Sequence, residues 1–331
     1  MKSVICPVLM MILTFLGAAE YDEDAFNRLI RNGAVAKYVY RVVDDEGSPV
    51  SNATAHIWFR SYGRPQDEAG WVVQTDTNGL FVAEHRLNEK FSVGIEKEGY
   101  YHTHDEINYF GMSAAKRLSI VKDGKWQPYG ERRTVVLKRI KNPYAVKVFG
   151  ENSHRHDIPI FGQWIGFDLE HGDWTPPYGA GRFVDVLLRF KADVRKRRID
   201  YTYVMDVCFT NNPHGGAYLM KEDDCSDLRT EYSADTNASY RSELSFSVEC
   251  SADRPVKSCY LDQDSYLIFR TRTRVDEKGI LVGAHYGKVR GIWRSTQNEM
   301  LLNDGCFNPV ENDNNIEGDQ TLFYKLKNNK R

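Results

Sequence analysis

Between residues 38 and 99 the chain is written in short runs that alternate apolar and polar residues, each stopped by a polar turn carrying glycine. Ala53-Thr54-Ala55-His56-Ile57-Trp58-Phe59 is one such run, and Phe91-Ser92-Val93-Gly94-Ile95-Glu96 is another. A period of two puts alternate side chains on opposite faces of an extended strand, so each run buries one face and wets the other. Asp44-Asp45-Glu46-Gly47 and Asp76-Thr77-Asn78-Gly79 separate the runs. In such turns the aspartate side chain bonds to backbone ahead of it, and glycine or asparagine supplies the positive φ that reverses the chain. A helix-period pattern cannot coexist with this spacing, so the stretch predicts a small antiparallel sandwich.

Three details of the same stretch resemble a known family. Asp44 or Asp45 through Gly47, Pro49 and Val50 forms a D-x-x-G-x-P-V turn. Thr75-Asp76, Gly79 and Phe81 form T-D-x-x-G-x-F, and Lys97, Gly99 and Tyr100 form K-x-G-Y. In these motifs residues 36–141 are similar to the carboxypeptidase regulatory-like domain, a prealbumin-like β-sandwich of secreted proteins. The resemblance covers about a third of the chain. It implies a rigid adhesion or support module with a carbohydrate-binding-like fold, and it carries over no catalytic residue.

At 331 residues the chain predicts two domains, each large enough for its own core. The net charge of −2 points to neither nucleic acid nor an anionic membrane surface. The 19 tyrosines and 16 phenylalanines suit a β-rich exterior protein. Lys2 precedes an apolar run over residues 4–16, too short to span a bilayer, and Gly17-Ala18-Ala19 gives the small residues a signal peptidase needs. Residues 1–19 therefore read as a signal peptide. No later segment reads as transmembrane, and the expected location is secreted, periplasmic or extracellular. Residues 20–35 read as a short helix capped by Asp22 and ended by Gly33, with Phe26, Leu29 and Ile30 on one face.

The domain of residues 36–141 closes with a hairpin near Val121-Lys122-Asp123-Gly124-Lys125-Trp126 and a strand over 133–140. Lys141-Asn142-Pro143 marks the boundary, because proline ends strands and helices alike. Residues 142–331 again read as strands: 182–190, 199–207, 243–249, a long hairpin from 266 to 293 turning at Asp276-Glu277-Lys278-Gly279, and a last strand over 321–326. Strand after strand with little helix argues for a second sandwich, of unassigned family. The fold class is thus all-β, with two β-sandwich-like domains. Five cysteines follow the signal: Cys208, Cys225, Cys250, Cys259 and Cys306. Export permits disulfides, and an odd number leaves one thiol over or pairs it with another chain. The turn-like segment between Cys250 and Cys259 makes that pair the first expectation and Cys208 with Cys225 the second.

Several residue groups invite chemistry. His102-Thr103-His104 and His154-Arg155-His156 each place two imidazoles on one strand face, and zinc would follow if the pairs met; surface-loop histidines are the plainer reading. Asp313, Asn315 and Glu317 before Gly318 echo half a calcium loop, but Tyr324 stands where the closing glutamate belongs, which favours a solvated acidic turn. No cofactor is otherwise implied. Trp164, Trp174 and Tyr178, stiffened by Pro176-Pro177, suit a sugar-stacking surface or, equally, domain packing. Arg270, Arg272 and Arg274 share a face on a regular strand, which fits an anionic glycan, a partner or simple edge protection. Asn52 and Asn237 head glycosylation sequons if the source is eukaryotic.

There is no Gly-x-Ser-x-Gly elbow and no phosphate-cradling loop, so whether the chain is an enzyme is open and leans against. The leading expectation is a non-enzymatic binding or accessory protein of the cell envelope or exterior, with carbohydrate or another envelope protein as partner. The alternatives are a secreted hydrolase of polysaccharide or peptide, using a carboxylate pair, and a structural or assembly component.

Overall fold

A computed structural model describes residues 22–63, 65–145, 154–196, 199–209, 212–223, 225–251, 254–259, 265–295 and 298–319. The expected signal peptide and the strand expected over 321–326 lie outside them. The chain is all-β and divides into two compact units, Met1–Leu137 and Lys138–Arg331. The division thus falls at Leu137, ahead of the expected Lys141-Asn142-Pro143 boundary.

The first unit opens with α1 (Glu23–Asn32), where the Asp22 carboxylate accepts the Ala25 N–H and Gly33 ends the last turn. Nine strands follow: β1 (Ala34–Asp44), β2 (Thr54–Arg60), β3 (Ala69–Gln74), β4 (Leu80–Leu87), β5 (Lys90–Glu96), β6 (Thr103–Asn108), β7 (Val121–Lys122), β8 (Lys125–Trp126) and β9 (Glu131–Leu137), with α2 (Ala114–Ser119) between β6 and β7. β1 is central to one sheet, antiparallel to β4 and parallel to β9, and it touches β8 at Val35. The other sheet runs β3-β2-β5-β6, antiparallel throughout.

The alternation in the sequence is what lets the two sheets share a core. Tyr38, Tyr40 and Val42 of β1 meet Ile57 and Phe59 of β2 and Phe91, Val93 and Ile95 of β5. Each of the large side chains contributes about 1.5–3 kcal/mol by leaving water. Leu29 anchors α1 in the same core. A polar bolt also joins the sheets: Asp105 on β6 accepts Tyr40 Oη at 2.7 Å and Arg133 Nε at 2.6 Å, with Arg133 Nη2 on its second oxygen at 3.0 Å.

In the second unit the strands are β10 (Tyr144–Ala145), β11 (His154–Asp157), β12 (Trp164–Asp168), β13 (Asp173–Trp174), β14 (Val186–Lys196), β15 (Asp200–Cys208), β16 (Gly216–Lys221), β17 (Glu243–Ser251), β18 (Arg254–Cys259), β19 (Ser265–Val275), β20 (Leu281–Ser295), β21 (Glu299–Phe307) and β22 (Gly318–Asp319). One sheet runs β13-β12-β14-β15-β17-β18 and a second β11-β21-β20-β19-β16, while β10 pairs with β22. Phe167, Leu188, Phe190, Met205 and Phe246 of the first sheet enter one core with Leu267, Phe269, Val289 and Leu302 of the second. The intervening residues Tyr266, Ile268 and Tyr286 form a further cluster with Ala234 and Ile316, so β19 is buried on both faces.

The register corrects the first disulfide expectation. Cys259 stands opposite Ser247, whereas Cys250 stands opposite Tyr201 of β15. Three residues along a strand separate Cys250 from the partner of Cys259, roughly 10 Å, beyond the Cα separation a disulfide spans. The Cys250 thiol instead donates to the Ile199 carbonyl at 3.4 Å.

Candidate functional site

The densest set of charges in the second unit gathers where β12, β14 and β19 approach one another. Asp168 ends β12, Asp185 immediately precedes β14, and Arg272 interrupts β19. Regular pairing of β19 with β20 breaks between Thr271 and Arg274, and Arg272 takes a φ of +48°. That bulge turns the guanidinium inward. Nε and Nη2 reach the two oxygens of Asp185 at 2.8 and 3.0 Å, Nη1 reaches Glu170 at 2.5 Å, and Nη2 reaches Asp168 at 3.3 Å. The rings of Phe183 and Phe307 lie 4.1 and 4.5 Å from the guanidinium carbon.

Both aspartates are fully buried, yet their acidities diverge. Burial pushes the Asp185 carboxyl above the usual carboxylate range, outweighing the pull of Arg272. Burial also acts on Asp168, but backbone N–H groups of His171, Arg182 and Phe183 outweigh it and hold that carboxyl below the usual range. His171 Nδ1 lies 2.9 Å from the same carboxylate. Asp185 further accepts the Leu169 N–H at 2.8 Å, and its carbonyl accepts Thr271 Oγ1 at 3.0 Å. The cluster therefore ties three strands and the 168–185 loop together.

Sequence reasoning missed this cluster. A charge set in the apolar run Phe183-Val184-Asp185-Val186-Leu187-Leu188 was its one signal, since a charge amid core residues requires a partner. The expected common face of Arg270, Arg272 and Arg274 does not form, because the bulge changes the phase. Arg270 binds the His214 carbonyl at 2.9 Å, and Arg274 meets Glu311 at 2.7 Å.

The three aromatic residues expected to form a sugar surface are not equivalent. Trp174 is only 4% exposed: its ring packs edge-on to Phe167 and Phe190, and Nε1 donates to the Asp157 carbonyl at 3.0 Å. It is a core residue and offers no face to a ligand. Its ring is enclosed by His156, Phe167 and Phe190, while Gly179 and Gly181 bring the returning chain against the Trp174 carbonyl. Tyr178 and Trp164 are each 42% exposed. Trp164 carries the Arg189 guanidinium at 4.4 Å and opens on a shallow groove of about 430 Å³. Arg189, Asp206, Arg241, Glu243 and Ser245 line the groove with it. Asp206 there accepts Arg189 at 2.8 Å, Lys191 at 2.9 Å and Ser245 Oγ at 2.8 Å. Burial opposes ionisation of Asp206, but those bonds hold its carboxyl below the usual range.

The two histidine pairs fall in different units. His102 lies over Gly94 and His104 stands opposite Gly94, whereas His156 packs edge-on to Phe167 and Trp174. The side chain of His154 lies outside the described residues. Among the described residues no group of three or more His, Cys, Asp and Glu side chains is placed to hold a metal. Glu317, expected in a calcium-like loop, is buried, and its two oxygens accept the N–H groups of Lys141 at 2.8 Å and Asn142 at 2.7 Å. Asn315 Nδ2 donates to the Asn142 carbonyl at 2.7 Å, and Asp313 accepts the Asn315 N–H at 3.0 Å. These oxygen-rich residues clasp the start of the unit. Both sequon asparagines, Asn52 and Asn237, are exposed.

No family model matches the chain, and no curated protein matches it. Among solved structures it is similar to 3-chlorocatechol 1,2-dioxygenase from Rhodococcus opacus 1CP, at 14% identity and a TM-score of 0.26, over 33% of this chain and 61% of that one. Hydroxyquinol 1,2-dioxygenase from Pseudomonas putida DLL-E4 matches at 15% identity and 0.24, over 33% and 58%. The chain thus spans less than two thirds of the length of these dioxygenases. A mutant of the shaft pilin spaA from Lactobacillus rhamnosus GG matches at 10% identity and 0.23, over 83% of this chain and 98% of that one. Scores this low assign neither fold nor activity.

Proposed function

We propose that this chain is a non-catalytic structural module of the cell exterior, two stiff β-sandwich units that assemble with other envelope proteins. The observation that carries this reading is the bidentate contact of Arg272 with buried Asp185. Asp168 and Asp185, both fully buried, are engaged in holding strands together. The similarity of residues 36–141 to the carboxypeptidase regulatory-like domain, carried by the Asp44–Val50, Thr75–Phe81 and Lys97–Tyr100 motifs, supports a support module. Lys2 and the apolar run after it support export.

A second reading, binding of carbohydrate in the second unit, is favoured by the exposed indole of Trp164 beside a groove of hydrogen-bonding side chains. Trp174, buried in the core, has no part in it.

The test uses residues 20–331. Purified protein is incubated with polysaccharides and a peptide library and assayed for released product, and its place in the source cell is followed by fractionation and chemical cross-linking. No product, with recovery in cross-linked complexes of the envelope or exterior fraction, is the expected result. Released sugar or peptide overturns the non-catalytic reading. Recovery as an uncomplexed cytosolic protein overturns the structural one.

A further inference from the structure

The outer face of the β3-β2-β5-β6 sheet carries an exposed indole. Trp58 points outward from β2 and is 50% exposed. Its cross-strand neighbour on β3 is Gly70, where a methyl group would collide with Trp58 Cε3 and Cζ3. The six-membered ring therefore occupies the space that a side chain at Gly70 would fill, and half of the residue stays exposed. Any side chain at position 70 would lift the ring. On the opposite flank Trp58 stands beside Ser92 of β5.

A second glycine shapes the adjoining row. Register places Val72, His56, Gly94 and His104 side by side across the four strands. His102 folds over Gly94, with Nε2 2.9 Å from where a Gly94 Cβ would stand. At each of these two glycines a ring reaches into the space a side chain would fill. Beyond them the face continues into a groove of about 560 Å³ lined by Asn52, Thr54, Glu96, Lys97, Tyr100 and His102.

On this face Lys90 pairs with Glu106, Arg60 lies 4.0 Å from Glu68, and His56 Nε2 lies 3.0 Å from Glu96. What remains is an exposed aromatic ring flanked by hydrogen-bonding groups, and the groove residues Glu96, Lys97 and Glu98 carry charges of both signs. A pyranose presents the complementary pattern: an apolar C–H face for the ring, and hydroxyls around its rim that bond to imidazole, carboxylate and hydroxyl groups. A strongly acidic or basic partner finds no matching field here.

We propose that this face, from Trp58 to the groove beside His102, binds a neutral oligosaccharide, with Trp58 as the stacking surface. The site is separate from the Trp164 groove of the second unit. It deepens the non-catalytic reading by naming a ligand class, and it expects binding without turnover.

The probes are cellohexaose, chitohexaose and mannohexaose, titrated calorimetrically into residues 20–331 with thermal melts of every variant as a fold control. At least one hexasaccharide binds the unaltered protein. Trp58→Ala weakens that binding at least tenfold with little change in melting temperature, and Trp58→Tyr keeps most of it. Gly70→Val weakens it although Trp58 is intact. Three results overturn the proposal: no binding of any of the three sugars, undiminished binding by Trp58→Ala, or loss in Trp164→Ala while Trp58→Ala still binds. Self-association of the unaltered protein that Trp58→Ala abolishes, without sugar binding, would assign the face to a second copy and also overturn it. Release of smaller sugars from a ligand that still needs Trp58 would leave the platform standing and end the non-catalytic reading alone.

Discussion

Arg272 Nε donates to Asp185 Oδ1 at 2.8 Å while Nη2 donates to Oδ2 at 3.0 Å, a bidentate pair closed over by two phenylalanine rings. A guanidinium and carboxylate removed from water gain little net stability together, but removing one leaves the other desolvated and unmatched. Arg272→Met takes from fully buried Asp185 both guanidinium bonds. It is expected to cost about 3–5 kcal/mol, read as a fall in the urea midpoint. Asp185→Asn keeps the shape and leaves Arg272 with Asp168 and Glu170, so its cost is expected to be smaller.

Acid acts on the two units with different sign at their central carboxylates. Burial raises the Asp105 carboxyl, but bonds from Arg133 and Tyr40 outweigh it, and the folded value lies below the unfolded one. Its contribution is complete above the unfolded pKa of about 3.9 and is lost as pH falls through the lower folded value. Asp185, raised by burial, contributes fully below the unfolded value and loses that contribution as pH rises through its folded value. Urea melts between about pH 3 and 7 on Asp105→Asn are therefore expected to flatten the acid loss. The same melts on Asp185→Asn are expected to steepen it.

The parts of this fold that were legible in the sequence are those set by local geometry. Asp44, Asp76 and Asp276 each accept backbone N–H groups two and four residues ahead, at Glu46 and Ser48, Asn78 and Leu80, and Lys278 and Ile280. Each turn ends in a glycine of positive φ, and alternation around it set which face of the strand is buried. Burial of Trp174 was not legible, because His156, Phe167 and Phe190, which pack on its ring, are brought beside it only by the fold. The inward turn of Arg272 was not legible either, since it follows from the irregularity in β19 between Thr271 and Arg274. Nor did Trp58 stand out, because Gly70, whose missing side chain leaves room for its ring, is adjacent only through register.

Gly79 and Gly47 occupy equivalent places in two of these turns but differ in what surrounds them. Both have positive φ, 72° and 82°. A side chain on Gly47 meets nothing, whereas one on Gly79 runs into the Val42 carbonyl, which accepts the Val50 N–H at 3.0 Å. Gly47→Ala is expected to cost about 1 kcal/mol, the left-handed penalty alone. Gly79→Ala adds displacement of β1 and is expected to cost about 2–3 kcal/mol. Paired thermal melts check the difference, and equal costs would mean that the Val42 carbonyl yields without penalty.

Glu317 restrains the first residues of the second unit. Its carboxylate receives two backbone N–H groups, and the neighbouring β10–β22 pairing is only two residues long. Glu317→Ala leaves both donors without that acceptor, at an expected cost of about 1–3 kcal/mol, while Glu317→Gln keeps one carbonyl oxygen for one of them. Hydrogen exchange reports the change where it occurs. The Lys141 and Asn142 amides, protected by carboxylate bonds of 2.8 and 2.7 Å, are expected to exchange much faster in Glu317→Ala. The amides of β14 and β15, paired from Leu187 to Lys196, are expected to keep their rates. Acceleration throughout that sheet would instead show that the clasp and the sandwich open as one cooperative unit.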